Sequence, residues 1–300
     1  MKPLHYSLFV LIGACSYGVH ASIVKLGFGA GFSIYHITVS QYLLGFLMLL
    51  LLYFFSPKAK MKVRQTLSLF SVGLLVCITG IFYGLSLERV SAAIAVVMLF
   101  QFTWIGVLIE AIYLKKLPSR KKILSVAVLW IGTVLAGGIG SSTGFDWRTD
   151  WDGILYGFIA AITFALFIFF SGKVAIEIPT MQRSLMIAVG GLIFLLFLFK
   201  PTFIIDGTVI TSGLWKYGLL LGLFGTILPI LFFAIGTPHL ESGISTIVGA
   251  AELPAAVIAA MIILHELVTP LQGLGVLLIL IGIVIPQYNG RRRRRVKSVL

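Results

Sequence analysis

A carboxyl group stands near the middle of a long apolar stretch of this chain. The stretch runs from Ser242 to Leu267, and it carries Glu252 with Pro254 two residues later. About 20 apolar residues cross a hydrocarbon core of about 30 Å, so this stretch is long enough to span a bilayer. An ionised glutamate at that depth costs at least a few kcal/mol, so it is usually paired, protonated or in contact with water. Such a carboxyl can bind a proton or the amine of a solute.

Polar and aromatic side chains in other apolar stretches lie at a similar predicted depth. Tyr17 precedes His20 by three residues and Gln101 precedes Trp104 by three, so each pair shares one face of a helix. Each pair sets an aromatic surface beside a hydrogen-bonding group, which suits a small amphipathic solute. The predicted substrate-binding residues are Tyr17, His20, Gln41, Tyr83, Gln101, Trp104 and Glu252.

The proton-coupling prediction concerns Glu252 and His20, because an imidazole titrates near physiological pH and could share a proton with the carboxyl. Each candidate also has a structural interpretation. Glu252 can be a neutral carboxyl hydrogen-bonded to a neighbouring helix, and His20 a satisfied buried side chain. The two glutamines can form interhelical hydrogen bonds worth about 0.6 kcal/mol each, and the aromatic residues can serve packing alone.

Two apolar stretches are interrupted by proline. Pro254 leaves the carbonyl of Ala250 without its helical partner, and Pro229 does the same to the carbonyl of Gly225. Broken helices of this kind can act as hinges in a membrane protein. Gly225, Pro229 and Pro254 are therefore predicted hinge residues.

The composition places the chain among polytopic membrane proteins. Of its 300 residues 59% are hydrophobic and 11% charged, whereas soluble domains are about 45–50% apolar and about 25% charged. Cys15 and Cys77 both lie in apolar stretches and indicate no disulfide framework. No residue pattern calls for a metal or a cofactor, and we predict none.

Hydropathy and turn signals predict an all-α protein with ten membrane spans. Ser33 is the predicted N-cap of the second span, and Thr269-Pro270 supplies an N-cap and a first-turn proline for the tenth. The predicted spans cover residues 4–26, 33–54, 66–87, 92–113, 121–138, 153–171, 183–199, 214–236, 243–264 and 271–286.

The charges predict the orientation. If the N-terminus, every second loop and the C-terminus share one side, that side holds 18 of the 23 lysines and arginines. The positive-inside rule then places both termini in the cytoplasm. The run Arg291–Arg295 fixes topology or meets anionic lipid in this interpretation, so no nucleic-acid partner is expected. Glu110, about one turn from Lys115, is interpreted as structural, and Glu266 as a residue that holds the last turn.

The two halves of the chain look related. A shift of 150 residues aligns spans four and five with spans nine and ten without a gap, for example Ile131-Gly132 with Ile281-Gly282. Because five is an odd number, the second half enters the membrane inverted, and inverted repeats with a site between them are a transporter architecture. The predicted organisation is a first repeat at 1–140, an external loop with Trp147 at 141–152, a second repeat at 153–287 and a basic cytoplasmic tail at 288–300.

The segment Pro254…His265-Glu266…Thr269…Gln272-Gly273…Leu278…Gly282 resembles the closing signature of EamA-type families in the drug/metabolite transporter superfamily. In the first half, Trp104 stands at the proline position of that signature and Lys116 at the glutamate position. The resemblance implies ten helices around a central cavity and alternating access.

The resemblance implies the substrate class and, with the compact size of the chain, the compartment: the predicted function is a secondary exporter of small metabolites, such as amino acids or related amphipathic solutes, in a bacterial inner membrane. In this hypothesis transport is coupled to a proton or ion gradient, with Glu252 as the candidate proton-binding residue. Two alternatives stay open: an uncoupled facilitator of the same fold, and a membrane-embedded lipid-modifying enzyme. Oligomeric state is not predicted, and no nucleotide-binding loop suggests ATP hydrolysis.

Overall fold

The structure, a computed structural model, describes residues 3–90, 92–137, 151–199 and 202–287. These residues form helices and no strand, so the all-α prediction is confirmed. The helices of the first half are α1 (Pro3–Gly29), α2 (Ile34–Phe54), α3 (Val63–Arg89), α4 (Ala92–Leu99), α5 (Phe102–Leu114) and α6 (Arg120–Ala136). The helices of the second half are α7 (Trp151–Ser171), α8 (Thr180–Phe199), α9 (Thr202–Ile205), α10 (Thr208–Thr211), α11 (Leu214–Gly222), α12 (Leu228–Gly236), α13 (Ser242–Gly249), α14 (Glu252–Ile263) and α15 (Pro270–Val284).

Within the described residues, eight helical segments are long and apolar enough to cross a membrane. They correspond to predicted spans one to four and six to nine, and the multi-span prediction is confirmed. Span four combines α4 with α5, and span nine combines α13 with α14. Spans five and ten form the shorter helices α6 and α15, of 17 and 15 residues. The N-caps predicted at Ser33 and Thr269 are confirmed, because each side chain accepts a hydrogen bond from a backbone N–H of its helix.

Parts of two predictions lie outside the described residues. They are most of the connecting loop at 141–152, with Trp147, and the basic tail at 288–300, with Arg291–Arg295. Trp151, at the end of that loop, begins α7 and is exposed. The sidedness of the termini and the repeat boundaries therefore stay predictions.

Glycine allows α6 and α15 to pack with their backbones close together. A Cβ at Gly132 would lie 2.9 Å from the Gly275 carbonyl oxygen, and a Cβ at Gly275 would overlap the backbone of Ala136. The Ser125 hydroxyl donates a 2.6 Å hydrogen bond to the carbonyl of Gly282. Small residues at such crossings are the usual basis of helix association in lipid, where no hydrophobic force acts between helices.

Replacing Gly275 with Ala is expected to destabilise this pair, because the added methyl group meets backbone atoms that cannot rotate away. Overpacking of this kind costs about 1–3 kcal/mol. The matched control is Gly273→Ala on the same helix, where a Cβ meets no atom within 4 Å. Thermal unfolding of the purified protein in detergent should separate the two variants, and equal transition temperatures would contradict the proposed close contact.

Spans four and nine break at equivalent positions. Both turn at the residue pair that separates their two helices, Phe100-Gln101 in one and Ala250-Ala251 in the other, and these pairs are 150 residues apart. At the span-nine break Pro254 has no N–H, and the Ala250 carbonyl accepts from the N–H of Leu253 instead. Span four has no proline, but the Thr103 hydroxyl donates to the Phe100 carbonyl over 2.9 Å, a contact that often bends helices.

Other features repeat at the same offset of 150 residues. Lys115 and His265, which follow α5 and α14, both have positive φ, at 51° and 54°. The N-caps Ser119 and Thr269 are equivalent as well. The contacts between α6 and α15 are reciprocal: Leu129 packs on Gly282, and the equivalent of Leu129, Ile279, packs on Gly132, the equivalent of Gly282. Reciprocal contacts are what a two-fold axis between related elements produces.

Candidate functional site

A cavity of about 260 Å³ lies between α1, α2, α3, α4 and α14. It begins near the middle of the bundle and extends to the end where α1 finishes and α2 starts, at Phe28 and Ile34. Five predicted site residues line it together, and they come from four separate predicted spans: Tyr17, His20, Gln41, Tyr83 and Glu252. The cavity wall is mostly apolar with a few polar groups, as small-molecule sites usually are.

Glu252 is placed by the break in span nine. It is the first residue of α14, and the close contact of Gly18 on α1 with the Glu252 carbonyl fixes this turn against the neighbouring helix. Its Oε2 atom is buried and has no hydrogen-bond partner among the described residues, and the same is true of the Tyr17 hydroxyl. An ionised Glu252 interacts electrostatically with Tyr17 and Tyr83. The cavity therefore ends at a carboxyl group whose partner must be a proton, water or a solute.

His20 and Gln41 form a polar chain that joins three spans. His20 Nε2 and Gln41 Oε1 are 2.8 Å apart, and Gln41 Nε2 donates to the Thr226 hydroxyl over 3.4 Å. Thr226 lies in a π-helical turn at Leu223–Ile227, between α11 and α12. Gly225 in this turn has no side chain to displace His20 or Gln41, whose atoms a Cβ would overlap. π-Helical turns occur often at functional sites.

An aromatic layer closes the inner end of the cavity. The ring of Tyr17 lies 5.7 Å from that of Phe164, and both line the cavity. Behind them Phe102, Phe167 and Phe233 are fully buried, with Phe102 4.8 Å and Phe233 6.4 Å from Phe164 between ring centroids. Beyond this layer α5 and α13 pack directly against each other. The cavity is therefore open toward one end of the bundle and closed toward the other.

The structure places Gln101 and Trp104 away from the cavity wall. Gln101 Oε1 accepts hydrogen bonds from the indole N–H groups of Trp104, over 2.8 Å, and of Trp130, over 3.0 Å. Its amide also donates to the Val97 carbonyl over 2.8 Å. Gln101 thus joins α5 to α6 and satisfies two indole groups. Gln101 and Trp104 lie on one helix face, as their three-residue spacing predicted, but that face points toward α6.

Replacing Gln101 with Leu is expected to lower the free energy of unfolding by about 1 kcal/mol, because two indole N–H groups lose their acceptor. We expect the concentration of solute that half-saturates transport to change less than in Gln41→Leu, a change inside the cavity. The two variants are compared by thermal unfolding in detergent and by transport in vesicles. A larger shift in half-saturation for Gln101→Leu would contradict the structural role.

Ion pairs tie both ends of span nine to other spans. At the cavity mouth, Lys25 of α1 lies 2.9 Å from Glu266, and both side chains are about half exposed. At the closed end, Lys122 of α6 contacts the buried carboxylate of Glu110 and lies 2.7 Å from Glu241. These ion pairs agree with a structural role for Glu110 and Glu266, which stays a prediction, and their lysine partners were not predicted from the sequence. The signal that could have identified these partners was the presence of each lysine at the same predicted end of the membrane as its glutamate.

Comparison with known proteins supports the fold and matches the second half of the chain to a family. Residues 151–286 match the model of the EamA-like transporter family. A solved crystal structure of another protein superposes with a TM-score of 0.76 over 94% of this chain and 98% of that chain, at 15% sequence identity. No curated protein sequence matches the chain.

The structural neighbour supports the fold over nearly the whole length, and the family match covers the half that carries Glu252, the two proline-containing spans and the closing segment. The long apolar helices support a multi-pass membrane protein. Over residues 151–286, the second half of this chain is similar to the EamA-like transporter family.

Proposed function

We propose that the protein is a secondary active transporter that exports a small amphipathic solute, such as an amino acid or a related metabolite, by alternating access. The observation that carries the proposal is the cavity that opens at one end of the bundle and stops at the unpartnered carboxyl of Glu252. A solute with an apolar body and one polar group fits a wall of this kind. The match to a transporter family supports transport over the enzyme alternative.

Glu252 is the proposed coupling residue. A carboxyl group that is buried in a mostly apolar wall, with no protein partner within the described part of the chain, gains most from a bound proton or from a cationic solute. His20 is the second proposed proton site, and it is held by Gln41 at 2.8 Å. Competition between a proton and a solute for one carboxyl is sufficient to link their movements in opposite directions.

The proposed hinges are Gly225, Pro229 and Pro254. Gly225 lies in the π-helical turn, where the Leu228 N–H bonds to the Leu223 carbonyl five residues back, and Pro254 follows the break in span nine. Segments with weakened helical hydrogen bonding absorb bending at low cost. With related halves in inverted orientation, these breaks allow the cavity to face each side of the membrane in turn.

The test is uptake into inside-out vesicles from a bacterial inner membrane, with and without an imposed pH gradient. Radiolabelled amino acids are screened one at a time against vesicles without the protein. We expect one or more solutes to accumulate above the external concentration only while the gradient lasts, and a protonophore to abolish the accumulation. If solute equilibrates without accumulating, the protein is an uncoupled facilitator; if none moves, the proposed substrate class is wrong.

A further inference from the structure

The two broken spans contribute differently to the two ends of the molecule. At the closed end, α5 of span four packs on α13 of span nine. At the open end, α4 and α14 both line the cavity, α4 with Val96 and Leu99 and α14 with Glu252 and Ala256. The same two spans therefore make a contact at one end and enclose space at the other.

The closed contact is tight because glycine occupies one side of each pair. A Cβ at Gly106 of α5 would overlap the side chain of Thr246 on α13. A Cβ at Gly249, at the end of α13, would lie 3.3 Å from the ring of Phe102 at the start of α5. Two specific pairs thus define the closure that the structure contains.

If the two halves exchange conformations, each residue of these pairs is replaced by its equivalent 150 positions away, and a second set of pairs results. At the offset of 150 residues, Gly106 and Thr246 become Ala256 and Val96, and Phe102 and Gly249 become Glu252 and Leu99. The offset of 150 residues follows from the helix breaks, the N-caps and the contacts between α6 and α15. It does not depend on which residues line the cavity. Nevertheless all four resulting residues line the cavity, two from α4 and two from α14. Both helices of the exchanged pairs therefore border the space that a second closure must fill.

We propose that the second conformation of this protein closes the cavity by packing α4 against α14, with Val96 on Ala256 and Leu99 on Glu252. The proposal rests on the alternating-access function proposed above, and it names the surfaces that meet. Ala256 is the smallest residue with a Cβ, so α4 can approach α14 closely at this position, although less closely than α5 approaches α13 at Gly106.

One exchanged pair differs in chemistry from its counterpart in the existing closure. Phe102 is fully buried in the existing closure, whereas its equivalent Glu252 carries a carboxyl group into the second one. Enclosing an unpaired carboxylate between apolar surfaces is strongly unfavourable, so α4 and α14 can meet only when Glu252 is neutral or paired with a cationic group. The second closure is therefore sensitive to the charge of Glu252, and the first is not.

Other titratable groups near Glu252 must be separated from this effect. Cys15 and Tyr17 approach it from α1 and Tyr83 from α3, while His20, Tyr42 and Lys25 share the cavity wall. Lys25 is already paired with Glu266. The test therefore changes Glu252 itself at one fixed pH.

The test measures disulfide formation between Val96→Cys and Ala256→Cys, in a background with Cys15→Ala and Cys77→Ala, after brief oxidation by copper phenanthroline in vesicles at alkaline pH. A disulfide needs Cβ atoms about 3.5–4.5 Å apart, so it reports contact rather than proximity. The control pair is Gly80→Cys with Ala256→Cys. Gly80 also lines the cavity and has room for a Cβ, but the exchange does not bring it to α14.

Adding Glu252→Gln is expected to raise the yield of the Val96–Ala256 disulfide by about tenfold or more, a shift in population that corresponds to about 1.4 kcal/mol, and to leave the control pair unchanged. Equal yields for the two pairs, or no effect of Glu252→Gln, would overturn the proposal.

A second measurement does not depend on cysteine. Ala256→Trp fills the space between α4 and α14 and is expected to stop solute movement in a folded protein, whereas Ile258→Trp, on an exposed face of α14, is expected to preserve it. Transport by Ala256→Trp at the wild-type rate would overturn the second closure. If the disulfide forms while no solute moves in any assay, the closure stands and the proposed transport function fails instead.

Discussion

Vesicles that carry Glu252→Gln are expected to lose solute accumulation driven by a pH gradient by about tenfold or more, while the exchange of labelled for unlabelled solute continues. Glutamine keeps the shape and polarity of the side chain but can neither bind a proton nor become charged. In a coupled carrier the empty protein must return with a proton at this site, and that step no longer depends on the gradient. Exchange needs only the loaded carrier.

The matched control is Glu266→Gln, which removes a carboxylate that is half exposed and outside the cavity. We expect its accumulation to stay within about twofold of the wild type, because exposed ion pairs contribute about 0–1 kcal/mol. Both variants are assayed in the same vesicles for accumulation and for exchange. Accumulation by Glu252→Gln at the wild-type level would assign Glu252 a structural role only.

Lys122→Met is expected to destabilise the protein by about 3–5 kcal/mol, because it leaves the buried carboxylate of Glu110 without its cation. The carboxylate contacts the Lys122 ammonium directly, and only 9% of the Lys122 side chain is exposed. Methionine preserves the apolar stem, so the change removes charge more than packing. Thermal unfolding in detergent measures the loss.

Lys25→Met is the control for charge removal, since the Lys25 side chain is 51% exposed and its ion pair should contribute about 0–1 kcal/mol. A double variant, Lys122→Met with Glu110→Met, should recover most of the stability lost in the single variant, because a buried ion pair replaced by apolar groups is often neutral. A Lys122→Met protein as stable as Lys25→Met would show that water reaches Glu110.

The sequence by itself determined the features that depend on neighbouring residues. Hydropathy within windows of about 20 residues predicted the membrane-spanning helices. The hydroxyl groups of Ser33 and Thr269 predicted where helices begin, because a cap bonds to an N–H three residues away. Pro254 predicted the break in span nine, since the missing N–H acts on a carbonyl four residues earlier. All of these effects act along one stretch of backbone.

The equivalent break in span four could not be predicted from neighbouring residues. No proline marks it, and the Thr103 hydroxyl that bonds to the Phe100 carbonyl resembles many threonines that do not bend a helix. Similarly, the spacing of Gln101 and Trp104 placed both on one helix face but did not say which neighbour that face meets. The face meets Trp130 of α6 and not the cavity.

Only the tertiary structure decided which distant groups meet. It brought Tyr17, His20, Gln41, Tyr83 and Glu252 to one cavity, and it paired Glu110 with Lys122 rather than with a residue near Lys115. These contacts depend on the rotation and depth of whole helices, which are fixed where small residues such as Gly18 allow two backbones to approach. Helix rotation is set by packing against several neighbours at once, so no single stretch of sequence contains it.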